Sequence, residues 1–189
     1  MRGWIGPIAL GVVAAVGAHW ATLALAPGVI MDQALFALAK RNIALHAFTN
    51  PERITPQTQA VVRSSPDLFY ALCRYDLSDA EESLKVTMSG WPGYQSLSFF
   101  DAETNNYATF RGTGEDLAVR LYPRAPLEKM VADGLRPQDA EKWQSTPSTR
   151  GVILIRRLAP TQELFDQALE ASKADGCEYS GSPAAESTG

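Results

Sequence analysis

The chain has 189 residues, of which 46% are hydrophobic and 20% charged, with a net charge of −4, two histidines and two cysteines. The acidic balance offers no basic face and argues against a nucleic-acid partner. So few His and Cys residues exclude a zinc centre and leave most His-dependent nucleophilic schemes without their base, so no metal or cofactor is expected.

Trp4 to Ala26 reads WIGPIALGVVAAVGAHWATLALA, with no Asp, Glu, Lys or Arg. A bilayer core requires about 20 apolar residues at a rise of about 1.5 Å each. A core helix of a soluble domain would carry a polar stripe, and this segment has none. Trp4 and Trp20 are separated by about 24 Å along a helix, which suits the two interfacial belts. Residues 1–28 are therefore expected to form a single-pass membrane anchor, with the bilayer as partner of residues 4–26. Pro27 directly follows the small-x-small site Ala24-Leu25-Ala26 and disfavours cleavage there, so an uncleaved anchor is expected. Arg2 favours a cytoplasmic N-terminus, but Lys40 and Arg41 at the far end nearly balance it. Small residues at Gly11, Ala14, Ala15 and Ala18 have the spacing of a helix-pairing face, a common feature of membrane helices.

Pro27-Gly28 reads as a helix break, and a second helix is expected from Val29 to Phe48, with Leu35, Leu38, Asn42 and Leu45 on one face. Residues 29–60 then form a helix and linker, ended by Asn50-Pro51 and Thr55-Pro56. From Leu68 the periodicity changes to two. Phe69, Ala71, Cys73, Tyr75 and Leu77 alternate with a second set, as do Leu84, Val86 and Met88. Tyr94 to Asp101, Tyr107 to Arg111, Leu117 to Tyr122 and Val152 to Ile155 are further strands. Turns are expected at Trp91-Pro92-Gly93, Thr104-Asn105-Asn106 and Gly112-Thr113-Gly114. Pro126 to Gln144 is polar with a short helical piece at Leu127 to Ala132. A last helix runs from Gln162 to Asp175, N-capped by Thr161 and stopped at Gly176. The pattern specifies an α+β, mainly β, domain over residues 61–178: an antiparallel β-sandwich with flanking helices. Residues 179–189 are small and polar and read as a disordered tail.

Several segments recur in a known order: Ser65-Pro66-Asp67-Leu68-Phe69-Tyr70, Tyr75-Asp76-Leu77-Ser78, Gly93 to Ala102 with Thr104-Asn105-Asn106, and Arg150-Gly151-Val152-Ile153-Leu154-Ile155-Arg156. From Ile43 to Leu158 the chain resembles the bacterial family catalogued as domain of unknown function 1254. The resemblance implies a jelly-roll-like β-sandwich with flanking helices. Many members carry export signals, which implies a periplasmic domain on the inner membrane. In larger members a second β module follows, so a stand-alone first module meeting a separately encoded second-module protein is expected here. The resemblance supplies no activity.

An oxidising compartment would allow Cys73 and Cys177 to form a disulfide, expected to staple the last helix to the sheet. The alternative is a buried free Cys73 with an exposed Cys177. The other groups able to do chemistry are carboxylates at strand ends. Asp67, Asp76, Asp101 and Glu103 are candidates for paired acid–base work on carbohydrate, or for oxygen ligation. Asp67, Tyr70, Asp101, Asn105 and Asn106 are the candidate binding residues, and Tyr94, Phe99, Phe100 and Tyr107 are aromatic groups able to stack on sugar rings. Against this, Asp and Asn at such positions commonly bind their own backbone, and strand aromatics commonly pack inward. His46 reads as a structural residue. Two functions follow: a membrane-anchored module that binds another protein, or a carbohydrate-acting enzyme or binding protein.

Overall fold

A computed structural model describes residues 2–55, 64–78, 83–134 and 142–180. After a short 3₁₀ turn, helix α1 runs unbroken over Ile5–Lys40. This corrects the expected break at Pro27-Gly28 and the second helix to Phe48. Proline removes one N–H and crowds the preceding turn, but the flanking Ala24, Leu25 and Ala26 are strong helix formers that carry the helix past it. The helix ends where Asn42 takes a positive φ of 59°. Residues 43–49 form a strap that bends at His46, whose φ is 55°, and are sewn to the first strand by Thr49 N–H to Leu72 O, Leu72 N–H to Thr49 O and His46 N–H to Arg74 O.

Eight strands follow: β1 (Leu68–Asp76), β2 (Ser83–Met88), β3 (Gln95–Phe100), β4 (Asn106–Arg111), β5 (Leu117–Pro123), β6 (Lys142–Thr146), β7 (Arg150–Leu158) and β8 (Gly176–Ser180). They form two four-stranded sheets, ordered β1-β7-β3-β4 and β6-β5-β2-β8. The chain passes repeatedly between sheets, so neither can form its core without the other. The alternation read in β1 is the burial pattern: Phe69, Ala71, Cys73 and Tyr75 face inward, with Leu97, Phe99, Ile153 and Ile155 of the same sheet. Leu84, Val86, Met88, Val119 and Leu121 meet them from the other sheet. Each such side chain, fully removed from water, contributes about 1.5–3 kcal/mol.

Three expectations need correction. β5 and β6 run parallel, joined by helix α2 (Arg124–Ala132), so the sandwich is not wholly antiparallel. β6 and β8 lie where no strand was expected. Tyr179 and Ser180 belong to β8, which pairs with β2, so a tail cannot begin at 179; its remaining residues, 181–189, lie outside the described residues. Helix α3 (Gln162–Ala171) is shorter than its expected span and is capped as expected, with Leu164 N–H donating to Thr161 Oγ1 at 3.2 Å. It lays Phe165 edge-on against Phe69, with ring centres 5.2 Å apart.

Cys73 and Cys177 are bonded, both buried, with Cα atoms 6.6 Å apart. The bridge joins β1 of one sheet to β8 of the other. The expected staple thus exists but locks sheet to sheet rather than helix to sheet, because Cys177 belongs to β8.

Candidate functional site

The candidate residues fall into two groups at opposite ends of the sandwich. Asp67 lies in the turn before β1, where its carbonyl accepts the Ala159 N–H just beyond the end of β7. Asp101 follows β3, whose last residue pairs with Val152 near the start of β7. The length of β7 separates the two by about 25 Å. Glycoside hydrolysis needs carboxyl groups within about 5–9.5 Å, so this pair cannot perform it.

Asp67 and Glu103 are exposed, and the other polar candidates are turned largely on the chain itself. Asp101 is 5% exposed. Its Oδ1 accepts the N–H groups of Glu103 and Asn105 at 2.8 and 2.9 Å, and its Oδ2 accepts Asn105 Nδ2 at 3.0 Å. That closed Asx loop holds Thr104 at a positive φ of 68°. Asn106 starts β4 and accepts the Thr109 hydroxyl. The Tyr70 hydroxyl accepts the Ser65 N–H at 2.9 Å and so ties down the approach to β1. Asp76 accepts both N–H and hydroxyl of Ser78. Glu103 is exposed. His46 Nε2 accepts the Asp76 N–H at 3.0 Å, and its ring meets that of Tyr179 edge-on, with centres 4.0 Å apart. Of the aromatic candidates, Phe99 is buried in the core with Tyr107 and Phe110 against it, while Tyr94 is exposed.

Two buried polar constellations escaped the sequence reading. At the Asp101 end, the Tyr75 hydroxyl lies 3.0 Å from Thr146 Oγ1 and 3.3 Å from the Tyr107 hydroxyl, and it donates to Phe100 O. Burial raises the pKa of Tyr75 and of Tyr107 above the ordinary tyrosine value. The unfolded chain ionises them near pH 10. A raised folded value means that the neutral form is favoured by folding. Their contribution is therefore complete below about pH 10 and is lost as pH rises beyond it. In an ultraviolet titration, Tyr75 and Tyr107 should stay silent until the domain unfolds. Smooth titration of all six tyrosines in the folded protein would contradict this.

This cluster explains the glycine in the Arg150-Gly151 segment. A Cβ on Gly151 would stand 2.5 Å from the Tyr75 hydroxyl and 2.1 Å from Phe100 O. Gly151→Ala is expected to destabilise the head by about 1–3 kcal/mol, the usual cost of overpacking. Urea unfolding of this variant and of Tyr75→Phe/Gly151→Ala checks the origin. Removing the hydroxyl should recover part of the loss, and no recovery would place the clash on the Phe100 carbonyl and the Tyr75 ring carbon, 2.6 Å from the new Cβ.

At the other end, Arg157 and Asp175 form an ion pair with both side chains 0% exposed. Arg157 Nη1 and Nη2 donate to the two carboxylate oxygens at 2.8 and 2.7 Å, and Nη2 also donates to Ser89 O and Oγ. Ser89 N–H in turn donates to Asp175 Oδ1 at 2.9 Å. Beside them Gln95 is buried with both amide atoms unpaired among the described residues, as is Trp91 Nε1.

Among the described residues no group of three or more His, Cys, Asp or Glu side chains could hold a metal ion. A shallow recess at the Asp101 end is bounded by Leu77, Ser78, Arg124, Thr146 and Thr149. Its buried polar group, Thr146, is already bonded to Tyr75 and to Ser148 O.

No curated protein matches the chain. Among solved structures it is similar to the VPA0106 protein of Vibrio parahaemolyticus, with a TM-score of 0.58 and 15% identity over 80% of this chain and 34% of that one. A Burkholderia cenocepacia protein is similar at a TM-score of 0.47 and 14% identity, over 75% of this chain and 36% of that one. The chain thus spans about a third of the length of each, and the Vibrio structure supports the fold alone. The family described as "Protein of unknown function (DUF1254)" matches residues 45–174, well over half the sequence. This chain belongs to that family.

Proposed function

We propose that the protein is a membrane-tethered periplasmic module of the inner membrane that works by binding another protein. The observation that carries this reading is the contrast between the two sides of the sandwich. On the β1 side the 43–49 strap pairs along β1, and the short edge strand β8 is tied back to β1 by the disulfide. The opposite side ends in β4 and β6, which have no further strand beside them among the described residues. Lys142 of β6 stacks over Phe110 of β4 at 5.8 Å, so these two edges lie side by side, and Trp143 beside them is 48% exposed. Natural sheets usually cover, charge or shorten such edges, and an open one is a template for an added strand.

The compartment is supported by the buried disulfide, which persists in oxidising surroundings. Helix α1 is long and apolar enough to span a membrane. The partner we favour is a separately encoded second-module protein, since in the Vibrio protein this fold occupies only about a third of a longer chain. No observation favours carbohydrate chemistry, because the candidate carboxylates are dispersed or bonded to their own loops.

The test is co-purification from mildly solubilised membranes with an Arg111→Pro variant alongside. Gly112 N–H bonds to Gln95 O. The Arg111 N–H therefore faces away from β3, and proline there removes an outward donor without breaking the ladder. A second-module protein recovered in fixed proportion with the natural chain, and lost with the variant, is the expected result. Recovery of the natural chain alone would contradict the reading.

A further inference from the structure

The geometry points to a head clamped onto the bilayer surface rather than dangling from it, with the Thr146–Arg150 turn at the level of the phospholipid headgroups. This rests on α1 spanning the membrane.

The exposed and covered parts of α1 divide sharply. Every residue from Gly3 to Leu25 is exposed. The stretch Ile5–Leu25 is about 32 Å long, against about 30 Å of bilayer hydrocarbon. Coverage by the rest of the protein follows within two turns. Met31 is buried, and Leu35 and Leu38 are partly covered. Met31, Leu35 and Leu38 follow the three-to-four spacing of a single helix face. Asp32 reaches Arg150 at the start of β7, 3.5 Å away. Asp32 is six residues beyond Ala26, about 9 Å along the axis.

No slack follows. Ile43 is buried, Ile43 O accepts Arg74 Nε at 2.8 Å, and Ala44 O accepts the Arg74 N–H. The helix that leaves the lipid is therefore the helix that is bolted to the sandwich, with no linker between. The position of Pro27 fits this boundary. Its missing N–H leaves the Leu23 carbonyl without a helical partner, which water and headgroups can supply at the lipid surface but hydrocarbon cannot.

Electrostatic attraction is not the cause. At this end the described carboxylates Asp32, Asp76, Asp101 and Glu103 balance Lys40, Arg41, Arg124 and Arg150. The contact is imposed by helix length and packing, and it should be insensitive to the proportion of anionic lipid.

The experiment places one fluorophore on the full chain in nanodiscs of phosphatidylethanolamine and phosphatidylglycerol containing headgroup-nitroxide lipid. Thr149→Cys reports the clamped turn. Lys173→Cys, exposed beyond α3 at the opposite end, reports the distal side. Quenching at Thr149 several-fold stronger than at Lys173 is expected, at either lipid ratio. A flexible Gly/Ser insertion between Ala26 and Pro27 should bring the two labels together. Equal quenching in the natural chain, or no change on insertion, overturns the clamp while leaving the anchor intact. Elution of the chain free of the discs would instead overturn the anchor and the clamp with it.

Discussion

Replacing Cys73 and Cys177 together by alanine should lower the unfolding free energy of the head by about 4–5 kcal/mol, the chain-entropy value for a loop of roughly a hundred residues. The bridge spans 104 residues, from β1 to β8. It therefore encloses β2 to β7, and cutting it enlarges the unfolded ensemble of nearly the whole domain. The two residues it holds lie in different sheets, so it also resists separation of the layers. For a domain of this size the loss corresponds to a fall in Tm of about 10–15 °C. Thermal unfolding of the natural chain with and without reductant, beside the double variant, measures it. Reduction and the double substitution should agree in direction. An unchanged Tm in both would mean that core packing alone holds the sheets together.

The second large effect should come from the Arg157–Asp175 pair. Removing one member of a buried pair strands the other charge in the interior, at a cost of about 3–5 kcal/mol. Here Arg157 also serves Ser89 O, and Asp175 also accepts from Ser89 N–H. Arg157→Met and Asp175→Leu should each destabilise by that order. The double variant should recover much of the loss, because two apolar groups of similar volume need no partner. A double-mutant cycle in urea gives the coupling directly. Strictly additive losses would show that the pair acts by shape and not by charge.

Strand alternation was legible where one face is wet. β1 announces itself because Phe69, Ala71, Cys73 and Tyr75 alternate with residues on the outer face, and the same holds for β2. β6 and β8 did not. Lys142-Trp143-Gln144-Ser145-Thr146 and Gly176-Cys177-Glu178-Tyr179-Ser180 are edge strands that bury few side chains, so their pairing is set by neighbours rather than by their own pattern. The continuous α1 was hidden by Pro27, whose local preference was outweighed by the helix formers around it.

At the site level, the Asx loop of Asp101 was foreseeable from its Asp-x-x-x-Asn spacing. The separation of Asp67 from Asp101 was not, since it depends on which ends of β1 and β3 share a side of the sandwich. The Arg157 network was invisible for a different reason. An arginine at the end of a strand ordinarily lies in water, and only the inward register of Ile153 and Ile155 carries Arg157 into the interior, to an aspartate 18 residues away. Gly151 stood in the sequence as part of a family-like segment, and the groups that crowd it, the Phe100 carbonyl and the Tyr75 hydroxyl, lie on other strands.

The account depends on a disulfide-closed sandwich carried by a lipid-embedded helix. The direct measurement is the mass of the chain recovered from carbonate-washed membranes of cells quenched with acid and treated with a thiol-reactive reagent. The expected species is membrane-bound, unmodified without reductant and doubly modified after reduction. A chain modified at both cysteines before reduction, or found in the soluble fraction, would contradict it.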